Sequence, residues 1–416
     1  MSEFVLLRHR EIPGLNQLKT YVANGGFSMW KKVVTSNKPE DLVREVKASG
    51  LRGRGGAGFP TGVKWSFLPN DIWPHYVVAN ADESEPGTFK DRELLEFNPY
   101  QFLEGLMLAS FAVQANDAYI YFRGEFSQIA KKIDERIAEL TTKGYLGDGL
   151  YATSYSLRVH THVGAGAYIC GEETALLESI EGKLGQPRLR PPFPALSGLF
   201  NKPTVINNVE TLANLPYIIE KGSDAFRRHG TDKSPGTKIF SLSGRVNKPG
   251  NYELPLGTTF RELIYKHGEG IINGATIKAI MPAGASSTLI PATETALDTP
   301  MDYEATSALG SPLGSASVII LDETVNISRL VNSTVHFFKH ESCGKCTPCR
   351  EGTYWMSHIT SRIESGKAKK EDIDLLKVVA SQMQNKCLCA LGEFSIMAVM
   401  SGLQHFRADF DARLES

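Results

Sequence analysis

The chain has 416 residues, which at roughly 100–200 residues per domain predicts two to four domains. Lysine and arginine total 45 and aspartate and glutamate total 46, so the formal net charge is −1. This balance argues against a broad basic surface that binds nucleic acid or anionic lipid. With 22% charged and 42% hydrophobic residues, the composition is that of a globular protein, which excludes a disordered or collagen-like chain.

Neither a membrane span nor an export signal is evident. The longest lipophilic stretch, residues 105–113, is about half of the ~20 residues that a transmembrane helix needs. The first residues, MSEFVLLRHREIPG, carry arginine and glutamate together and have no basic segment ahead of a short apolar run, unlike a signal peptide. We therefore expect a cytoplasmic protein with no nucleic-acid partner and no direct membrane insertion.

The first half of the chain alternates between helix and strand patterns. Apolar residues at helical spacing predict a helix over 40–49 that ends at Gly50, and a glycine-rich loop follows. The next segments predict, in order, a strand at Val77 and Val78, a buried helix over 100–115, a strand over 118–122, an amphipathic helix over 127–140, a strand over 156–163 and a helix from about Glu172. Strands that alternate with helices favour a parallel α/β core.

The pattern changes after about residue 235. Two strands, over 238–244 and 250–254, and a short helix over 259–267 indicate a small α+β domain. From residue 326 onward the sequence predicts a helical bundle, with helices over 326–338, 352–364, 371–384 and 391–407. We expect three parts, over residues 1–235, 236–325 and 326–416.

Five of the six cysteines crowd the last fifth of the chain: Cys343, Cys346, Cys349, Cys387 and Cys389. In a chain without an export signal, this clustering indicates metal ligation rather than disulfides. Three thiols at C-x2-C-x2-C spacing can bind three corners of a [4Fe–4S] cubane, and the more distant pair can supply the fourth ligand. A tetrahedral zinc site is the alternative, although zinc sites usually combine two separated C-x2-C pairs. The isolated Cys170 is expected to be a small buried residue.

A glycine-dense segment, GRGGAG at residues 53–58, matches G-x-G-x-x-G. A helix rather than a strand precedes it, so the context of a dinucleotide-binding fingerprint is missing. Four glycines followed by Phe59, Pro60 and Lys64 instead indicate a backbone that approaches a flat or phosphorylated cofactor, with Lys64 as a point charge for phosphate. A structural turn is the alternative interpretation.

Two acidic segments follow predicted strands. The segment NADESE, residues 80–85, lies at the carboxyl end of a strand, where open α/β sheets bind ligands, although a solvated acidic loop fits equally well. Glu172 and Glu173 open a helix, and the helix dipole alone would account for them. PRLRPPFP, residues 187–194, is expected to be rigid and extended, and Asn207 and Asn208 offer paired amides.

Together these segments closely resemble the flavin- and NADH-binding subunit of respiratory complex I, the 51-kDa type. The matching runs, in family order over about residues 50–400, are GRGGAGFPTGVKW, NADESEPGTFKDR, CGEETAL, PRLRPPFP, NNVET, ESCGKCTPCREGT and CALG. The resemblance implies a Rossmann-like FMN-binding α/β domain within 1–235, a ubiquitin-like (β-grasp) α+β domain over 236–325 and a C-terminal four-helix bundle over 326–416 that carries the cluster.

The resemblance also implies which residues bind the cofactors. Those implied for FMN are Gly53, Arg54, Gly55, Gly56, Lys64, Asn80, Asp82, Glu83, Ser84, Gly171, Glu172, Asn207, Asn208 and Thr211. Those implied for NADH are Phe59, Phe67, Glu85, Tyr168, Glu173, Arg190 and Phe193; the family often has lysine where Arg190 stands. Those implied for the [4Fe–4S] cluster are Cys343, Cys346, Cys349 and Cys389, and Cys387 has no counterpart in the family pattern.

By the same resemblance, this would be the electron-input NADH dehydrogenase subunit. NADH would pass a hydride to FMN, and electrons would leave singly through the [4Fe–4S] cluster toward quinone, with no side chain acting as acid or base. Glu85 and Glu173 would disfavour NADPH by repelling its 2′-phosphate.

The resemblance implies specific partners as well. They are the [2Fe–2S] 24-kDa type subunit and the other peripheral-arm subunits of a proton-translocating complex on the inner face of the cell membrane. Diaphorase subunits of NAD-linked hydrogenases and formate dehydrogenases share this module, but they usually carry additional ferredoxin-like cysteine sets. A zinc-bundle scaffold without flavin is the non-enzymatic alternative.

Overall fold

The computed structural model describes residues 4–415, which form two compact units. The first unit contains the described residues up to Ser84 together with Phe89–Ile239 and Glu253–Gly257. The second contains Glu85–Thr88, Phe240–Tyr252 and the described residues from Thr258 onward.

The described residues form eighteen α-helices and nine β-strands, numbered here in chain order. The helices α1 to α18 are Leu18–Ala23, Ser28–Ser36, Pro39–Ser49, Thr61–Trp65, Lys90–Phe97, Pro99–Ala112, Ser127–Thr142, Glu173–Ile180, Val209–Ala213, Leu215–Lys221, Ser223–Arg227, Glu294–Leu297, Tyr303–Ala308, Ile327–Glu341, Thr347–Glu364, Lys370–Met383, Ala390–His405 and Arg407–Asp411. The strands β1 to β9 are Tyr76–Ala81, Asp117–Phe122, Arg158–Val163, Thr204–Asn208, Thr237–Gly244, Gly250–Pro255, Ile277–Met281, Ile290–Pro291 and Ser317–Asp322. A π-helix spans Glu262–His267 and a 3-10 turn spans Tyr168–Gly171.

The first unit is built around a four-stranded sheet in the order β3-β2-β1-β4. Every pairing in it is parallel, with Tyr76 of β1 opposite Asp117 of β2 and Thr204 of β4. Helices connect successive strands, so the predicted parallel α/β core is confirmed. The chain moves outward from β1 to β2 and β3 and then returns to the other side of β1 for β4. The carboxyl ends of β1 and β4 therefore flank the point where the winding direction reverses.

The buried helix predicted over 100–115 is confirmed as α6, and all fourteen of its residues are buried. Gly105 allows α9 to lie directly against it, since a Cβ at this position would stand 1.9 Å from the carbonyl oxygen of Leu212. Only glycine fits at such a close backbone approach. The sequence did not predict β4, which is short and ends in two asparagines.

The second unit contains a five-stranded mixed sheet in the order β6-β5-β9-β7-β8. β5 pairs in parallel with β9, whereas β7 is antiparallel to both β9 and β8. Four long helices follow: α14 packs against α15 and α17, and α16 packs against the same two helices. Their shared core includes Val335, Met356, Leu376 and Val399. Within residues 4–415, no helix is long and apolar enough to cross a membrane.

The interior of α6 carries an unusual carboxylate, Glu104. It is 3% exposed, and its Oε2 accepts hydrogen bonds from the hydroxyl of Tyr21 at 2.5 Å and from the backbone N–H of Phe27 at 3.0 Å. Burial raises the pKa of Glu104 to about 7, although the two hydrogen bonds act in the opposite direction. The side chain therefore changes charge near neutral pH inside the folded protein.

We predict that Glu104→Gln flattens the pH dependence of stability between pH 6 and pH 8. A carboxyl whose folded pKa is raised stabilises the fold fully below its unfolded pKa and loses that contribution as the pH rises through the folded value. The wild type should lose about 1 kcal/mol over this interval through Glu104, and the variant should not. The amide oxygen of glutamine can accept both hydrogen bonds.

Thermal unfolding followed by circular dichroism at pH 6, 7 and 8 measures this difference. Glu135→Gln, a matched change on the exposed side of α7, should keep the wild-type slope. Equal slopes for wild type and Glu104→Gln would contradict the prediction.

Candidate functional site

A cavity of about 880 Å³ opens at the carboxyl ends of β1 and β4 in the first unit. Its volume is within the ~300–1,000 Å³ that is usual for small-molecule and cofactor sites. The lining residues are Gly53, Gly55, Gly56, Ala57, Gly58, Phe59, Lys64, Phe67, Asn80, Gly171, Glu173, Arg190, Phe193, Pro194, Ala195, Leu196, Ile206, Asn207, Asn208 and Thr211. Because the winding of the sheet reverses between β1 and β4, this is where an open α/β sheet binds its ligand.

The glycine-rich segment forms one wall of the cavity. Its ends are joined by a hydrogen bond of 2.9 Å from the N–H of Gly53 to the carbonyl of Phe59. The backbone of Gly55 lies against Asn208, because a Cβ on Gly55 would stand only 2.8 Å from the Cβ of Asn208. The loop therefore exposes bare backbone to the cavity at a position where no larger residue fits without displacing Asn208.

Two cations and one carboxylate meet in the lining of the cavity. Nζ of Lys64 donates to Oε2 of Glu173 at 2.8 Å and to the carbonyl of Ile206 at 3.0 Å. Nη1 of Arg190 donates to Oε1 of Glu173 at 3.3 Å. Among the described residues that line the cavity, Glu173 is the only carboxylate, and Arg190 also pairs with Glu172 at 3.6 Å. Lys64 and Arg190 are the positive groups that the cavity offers to an anionic ligand.

Three phenylalanines line the mouth of the cavity. Phe59, Phe67 and Phe193 are about half exposed, and the rings of Phe59 and Phe67 lie 6.1 Å apart at a tilt of 50°. Large aromatic side chains left in solvent beside a polar cavity are suited to contact the flat face of a planar ligand.

Several residues implied for FMN are near the cavity without lining it. The guanidinium of Arg54 is buried and donates through Nη2 to the carbonyl of Pro235 at 2.8 Å. Glu83 is also buried and accepts the N–H of Asp91 at 2.6 Å at the start of α5, and burial raises its pKa to about 7. Glu172 is the N-cap of α8. These side chains bind backbone groups outside the cavity lining.

Four further residues that the family resemblance implies, Asp82, Ser84, Tyr168 and Glu85, do not line the cavity. Asp82 and Ser84 follow the end of β1, and Oδ2 of Asp82 would lie 3.4 Å from a Cβ at Gly171. Tyr168 opens the 3-10 turn that precedes α8. Glu85 belongs to the second unit, where its carboxylate accepts the N–H of Ser286 at 2.9 Å and its hydroxyl at 2.5 Å.

A buried ion cluster beneath the glycine-rich loop was not predicted from the sequence. Its members are Lys90, Asp91, Glu210 and Lys238, each at most 2% exposed. Lys90 lies 2.7 Å from Oδ1 of Asp91 and 2.9 Å from Oε2 of Glu210, and Lys238 donates to the same Glu210 oxygen at 3.2 Å. Lysine and glutamate are ordinarily predicted to be exposed. The one sequence signal for this cluster is that Glu210 follows Asn208, a predicted site residue, by two positions.

Burial and the mutual charges determine how these groups titrate. Burial lowers the pKa of Lys238 to about 7; Glu210 opposes this shift, whereas Lys90 adds to it. Burial alone would raise the pKa of Glu210, but Lys238 and Lys90 together hold it below its ordinary value. The carboxylate of Glu210 is therefore the charged centre of the cluster.

Asn208 connects this cluster to the cavity. Its Oδ1 caps α9 by accepting the N–H of Glu210 at 3.0 Å, and its Nδ2 donates to Oδ2 of Asp91 at 2.7 Å. One side chain therefore satisfies a helix terminus and a buried carboxylate.

We predict that Asn208→Ala destabilises the protein by about 2–4 kcal/mol. The loss combines the helix cap, worth ~0.5–2 kcal/mol, with the cost of leaving Asp91 without this donor, ~1–3 kcal/mol. Urea unfolding followed by tryptophan fluorescence measures it. Asn70→Ala, an exposed matched change, should stay within about 0.5 kcal/mol of wild type. Equal stability of the two variants would contradict the role assigned to Asn208.

The five clustered cysteines lie in the second unit in two segments, one between α14 and the first turn of α15 and one between α16 and α17. Cys346 is the N-cap of α15, Cys349 lies in its first turn and Cys389 is the N-cap of α17. The predicted helix over 352–364 therefore begins five residues earlier, at Thr347, with proline in its first turn. A Cβ on Gly392 would stand 2.2 Å from Sγ of Cys387 and 3.7 Å from Cβ of Cys349, so the first turn of α17 contacts both cysteines.

The thiols influence one another electrostatically. Burial, Cys346 and Cys343 raise the pKa of Cys349 to about 11, although its hydrogen bond with Ser342 acts in the opposite direction. Burial and the neighbouring thiols raise the pKa of Cys387 to about 12. A bound metal would reverse this repulsion, and an all-sulfur donor set suits an iron–sulfur cluster or zinc. Among the described residues, no group of three or more His, Cys, Asp or Glu side chains is spaced to hold one metal ion.

Comparisons with known proteins match the two regions. The Nuo51 FMN-binding domain matches residues 46–217, the SLBB domain matches 239–281 and the NADH-ubiquinone oxidoreductase-F iron-sulfur binding region matches 329–413. The first range spans every residue that lines the cavity, and the third spans the five clustered cysteines.

Full-length relatives show the same similarity. The second F-type subunit of NADH-quinone oxidoreductase in Rhizobium meliloti (strain 1021) is 48% identical over 416 residues, which cover 100% of this chain and 98% of that protein. The F-type subunit of NADH-quinone oxidoreductase in Mycobacterium tuberculosis (strain ATCC 25618 / H37Rv) is 48% identical over 419 residues, covering 99% of this chain and 93% of that one. A chain from the crystal structure of an NAD+-reducing [NiFe]-hydrogenase in the air-oxidized state is similar with a TM-score of 0.85 and 35% identity, covering 96% of this chain and 67% of that chain.

Proposed function

The chain belongs to the family of F-type subunits of NADH-quinone oxidoreductase, and from this premise we propose that the cavity at the ends of β1 and β4 holds FMN and admits NADH. The protein is the electron-input subunit of an NADH:quinone oxidoreductase, with FMN and a [4Fe–4S] cluster as cofactors and NADH as substrate. FMN held there would supply the chemistry that links two-electron oxidation of NADH to single-electron transfer toward the cluster. The observation that carries the assignment is the aromatic-rimmed cavity at the reversal of the sheet, which Lys64 and Arg190 line.

The residues we propose for FMN contact are those that both line the cavity and belong to the family motifs. They are Gly53, Gly55, Gly56, Lys64, Asn80, Gly171, Asn207, Asn208 and Thr211. Lys64 supplies positive charge for the phosphate, and the asparagines supply donors and acceptors at the two strand ends. We propose that Arg54, Asp82, Glu83, Ser84 and Glu172 support these contacts from adjacent positions.

We propose that NADH enters past the aromatic mouth. Phe59, Phe67 and Phe193 would contact its planar rings, and Arg190 lies beside them on the same cavity. Glu173 engages both Lys64 and Arg190, so it limits how much positive charge the cavity offers to a further phosphate. Tyr168 and Glu85 remain proposed NADH residues on the family motif alone.

We predict that Glu173→Gln increases tolerance of NADPH. The substitution removes one negative charge and weakens the hold on Lys64 and Arg190, so the 2′-phosphate meets a more positive surface. A change in like-charge repulsion discriminates between ligands on the kcal/mol scale, so the ratio of kcat/KM for NADPH to that for NADH should rise about tenfold.

Steady-state kinetics with ferricyanide as acceptor provide the two kcat/KM values. Glu135→Gln on the exposed side of α7 makes the same charge change outside the cavity and should leave the ratio unchanged. An unchanged ratio in Glu173→Gln would remove Glu173 from the specificity site.

For the [4Fe–4S] cluster we propose Cys343, Cys346, Cys349 and Cys389 as ligands. Three of them surround the N-terminus of α15, and Cys389 presents its thiol from the N-terminus of α17. Cys387 instead directs its Sγ to the carbonyl of Met383 at 3.6 Å. Its thiol is thus engaged at the end of α16, and we choose Cys389 as the fourth ligand because it belongs to the family run CALG.

We predict that Cys389→Ser strips or strongly weakens the EPR signal of the reduced cluster, whereas Cys387→Ser leaves it nearly intact. Cys389 is the N-cap of α17, whereas Sγ of Cys387 contacts the carbonyl of Met383, so we expect one thiol rather than both to complete the cubane. Iron analysis and EPR of the two variants measure the effect. FMN content should stay at the wild-type level in both. The opposite pattern would make Cys387 the ligand, and equal partial losses would mean that the two thiols substitute for each other.

Domain identity, partners and location complete the proposal. The match to the SLBB domain supports a ubiquitin-like (β-grasp) domain within 236–325, and the packing of α14 to α17 supports a four-helix bundle within 326–416.

The protein associates with other subunits of its complex, and we propose the [2Fe–2S] 24-kDa type subunit as the direct acceptor, on the inner face of the cell membrane. The chain is 48% identical to a complex subunit and 35% identical to the hydrogenase chain, which favours the first role over that of a hydrogenase diaphorase.

A further inference from the structure

We propose that Lys238 is a positioning residue of the flavin site, because its buried ammonium group holds the carbonyl of Arg54 and thereby aims and polarises the N–H of Gly55 toward the cofactor. The inference rests on the proposed FMN site. It assigns a role to a side chain outside the family motifs that define that site.

The geometry at the glycine-rich loop carries the first step. Nζ of Lys238 donates to the carbonyl oxygen of Arg54 at 2.9 Å, and Lys238 is 0% exposed. The N–H of Arg54 donates to Oγ1 of Thr211 at 2.8 Å. The residue is therefore held at both of its backbone polar groups, which fixes the loop where it begins to line the cavity.

The second step concerns the peptide between Arg54 and Gly55. This peptide is trans, so its C=O and N–H point in opposite directions. Lys238 occupies the carbonyl side, and Gly55 lines the cavity. Within residues 4–415, the N–H of Gly55 donates to no protein acceptor. It is thus a backbone donor that is left for a ligand.

The third step is electrostatic. A cation bound to the carbonyl of a peptide polarises that peptide and strengthens the hydrogen bond from its N–H. Lys90 and Lys238 contact the carboxylates of Asp91 and Glu210, and the guanidinium of Arg54 donates to the carbonyl of Pro235. Lys238 is the cation of this cluster that touches the carbonyl next to Gly55. A flavin atom that accepts a hydrogen bond from this N–H would be stabilised by the charge of Lys238, which acts through one peptide group.

The test separates positioning from simple charge balance inside the cluster. Lys238→Met removes the contact to the loop and leaves Glu210 with one cation fewer. The double variant Lys238→Met/Glu210→Gln also removes the contact but restores the wild-type net charge of the cluster, and replacement of a buried ion pair by neutral residues is often tolerated by the fold. Glu210→Gln alone keeps Lys238 and its contact with Arg54.

The full chain, stripped of flavin, is titrated with FMN by fluorescence quenching, and circular dichroism monitors the fold. We expect the Kd for FMN to rise about 10- to 100-fold in both variants that lack Lys238, and to change far less in Glu210→Gln. The midpoint potential of the bound flavin should also fall in the Lys238 variants, since reduction adds negative charge that the polarised N–H no longer stabilises. A purely structural role would not move this potential.

Three results would overturn the inference. They are a double variant whose Kd and potential return to about the wild-type values, a Lys238→Met protein with wild-type values, and a double variant that does not fold. The first makes Lys238 a counter-ion only, the second makes its contact irrelevant, and the third makes it a determinant of the fold. Failure of the wild-type chain to bind FMN would instead refute the proposed function.

Discussion

The rest of the first unit depends on the interactions of one buried carboxylate, that of Glu210. It binds Lys90 at the start of α5, Lys238 in β5 and the N–H of Ile239 at 2.9 Å. Glu210 itself lies in α9, directly after the end of β4. One fully buried side chain therefore fixes a helix, a strand and the strand end that borders the cavity, and it does so without contacting the cavity.

Buried charges are costly to desolvate, and their pairing often adds little net stability. The arrangement is better understood as a means of fixing position. Asn208 and Thr211 face the cavity and at the same time hold Asp91 and the N–H of Arg54. Because Asn208, Thr211, Asp91 and Glu210 each have specific partners behind the wall, the wall has few alternative arrangements, and a site whose chemistry is supplied by a cofactor depends on such rigid orientation.

The sequence predicted the parallel core and the crowding of cysteines because both leave local signals. Helical and strand periodicities alternate over residues 40–180, and thiol spacing survives in any fold. β4 was missed because Thr204–Asn208 is five residues long and ends in polar residues that resemble a loop. The ion cluster was missed because burial of lysine and glutamate depends on partners far apart in the chain, here Lys90, Glu210 and Lys238.

Motif resemblance alone could not distinguish ligand residues from residues that support them. Glu83 and Glu172 lie in the most specific family runs, yet each accepts backbone N–H groups at the start of a helix. Lys64, in contrast, lines the cavity, and its partner Glu173 does too. The chain is almost neutral as a whole, with a net charge of −1, but Lys64 and Arg190 line the cavity and Lys90 and Lys238 lie beneath the glycine-rich loop. An anionic, phosphorylated cofactor responds to this local field rather than to the net charge, which explains why composition excluded a basic surface and still left the site undetected.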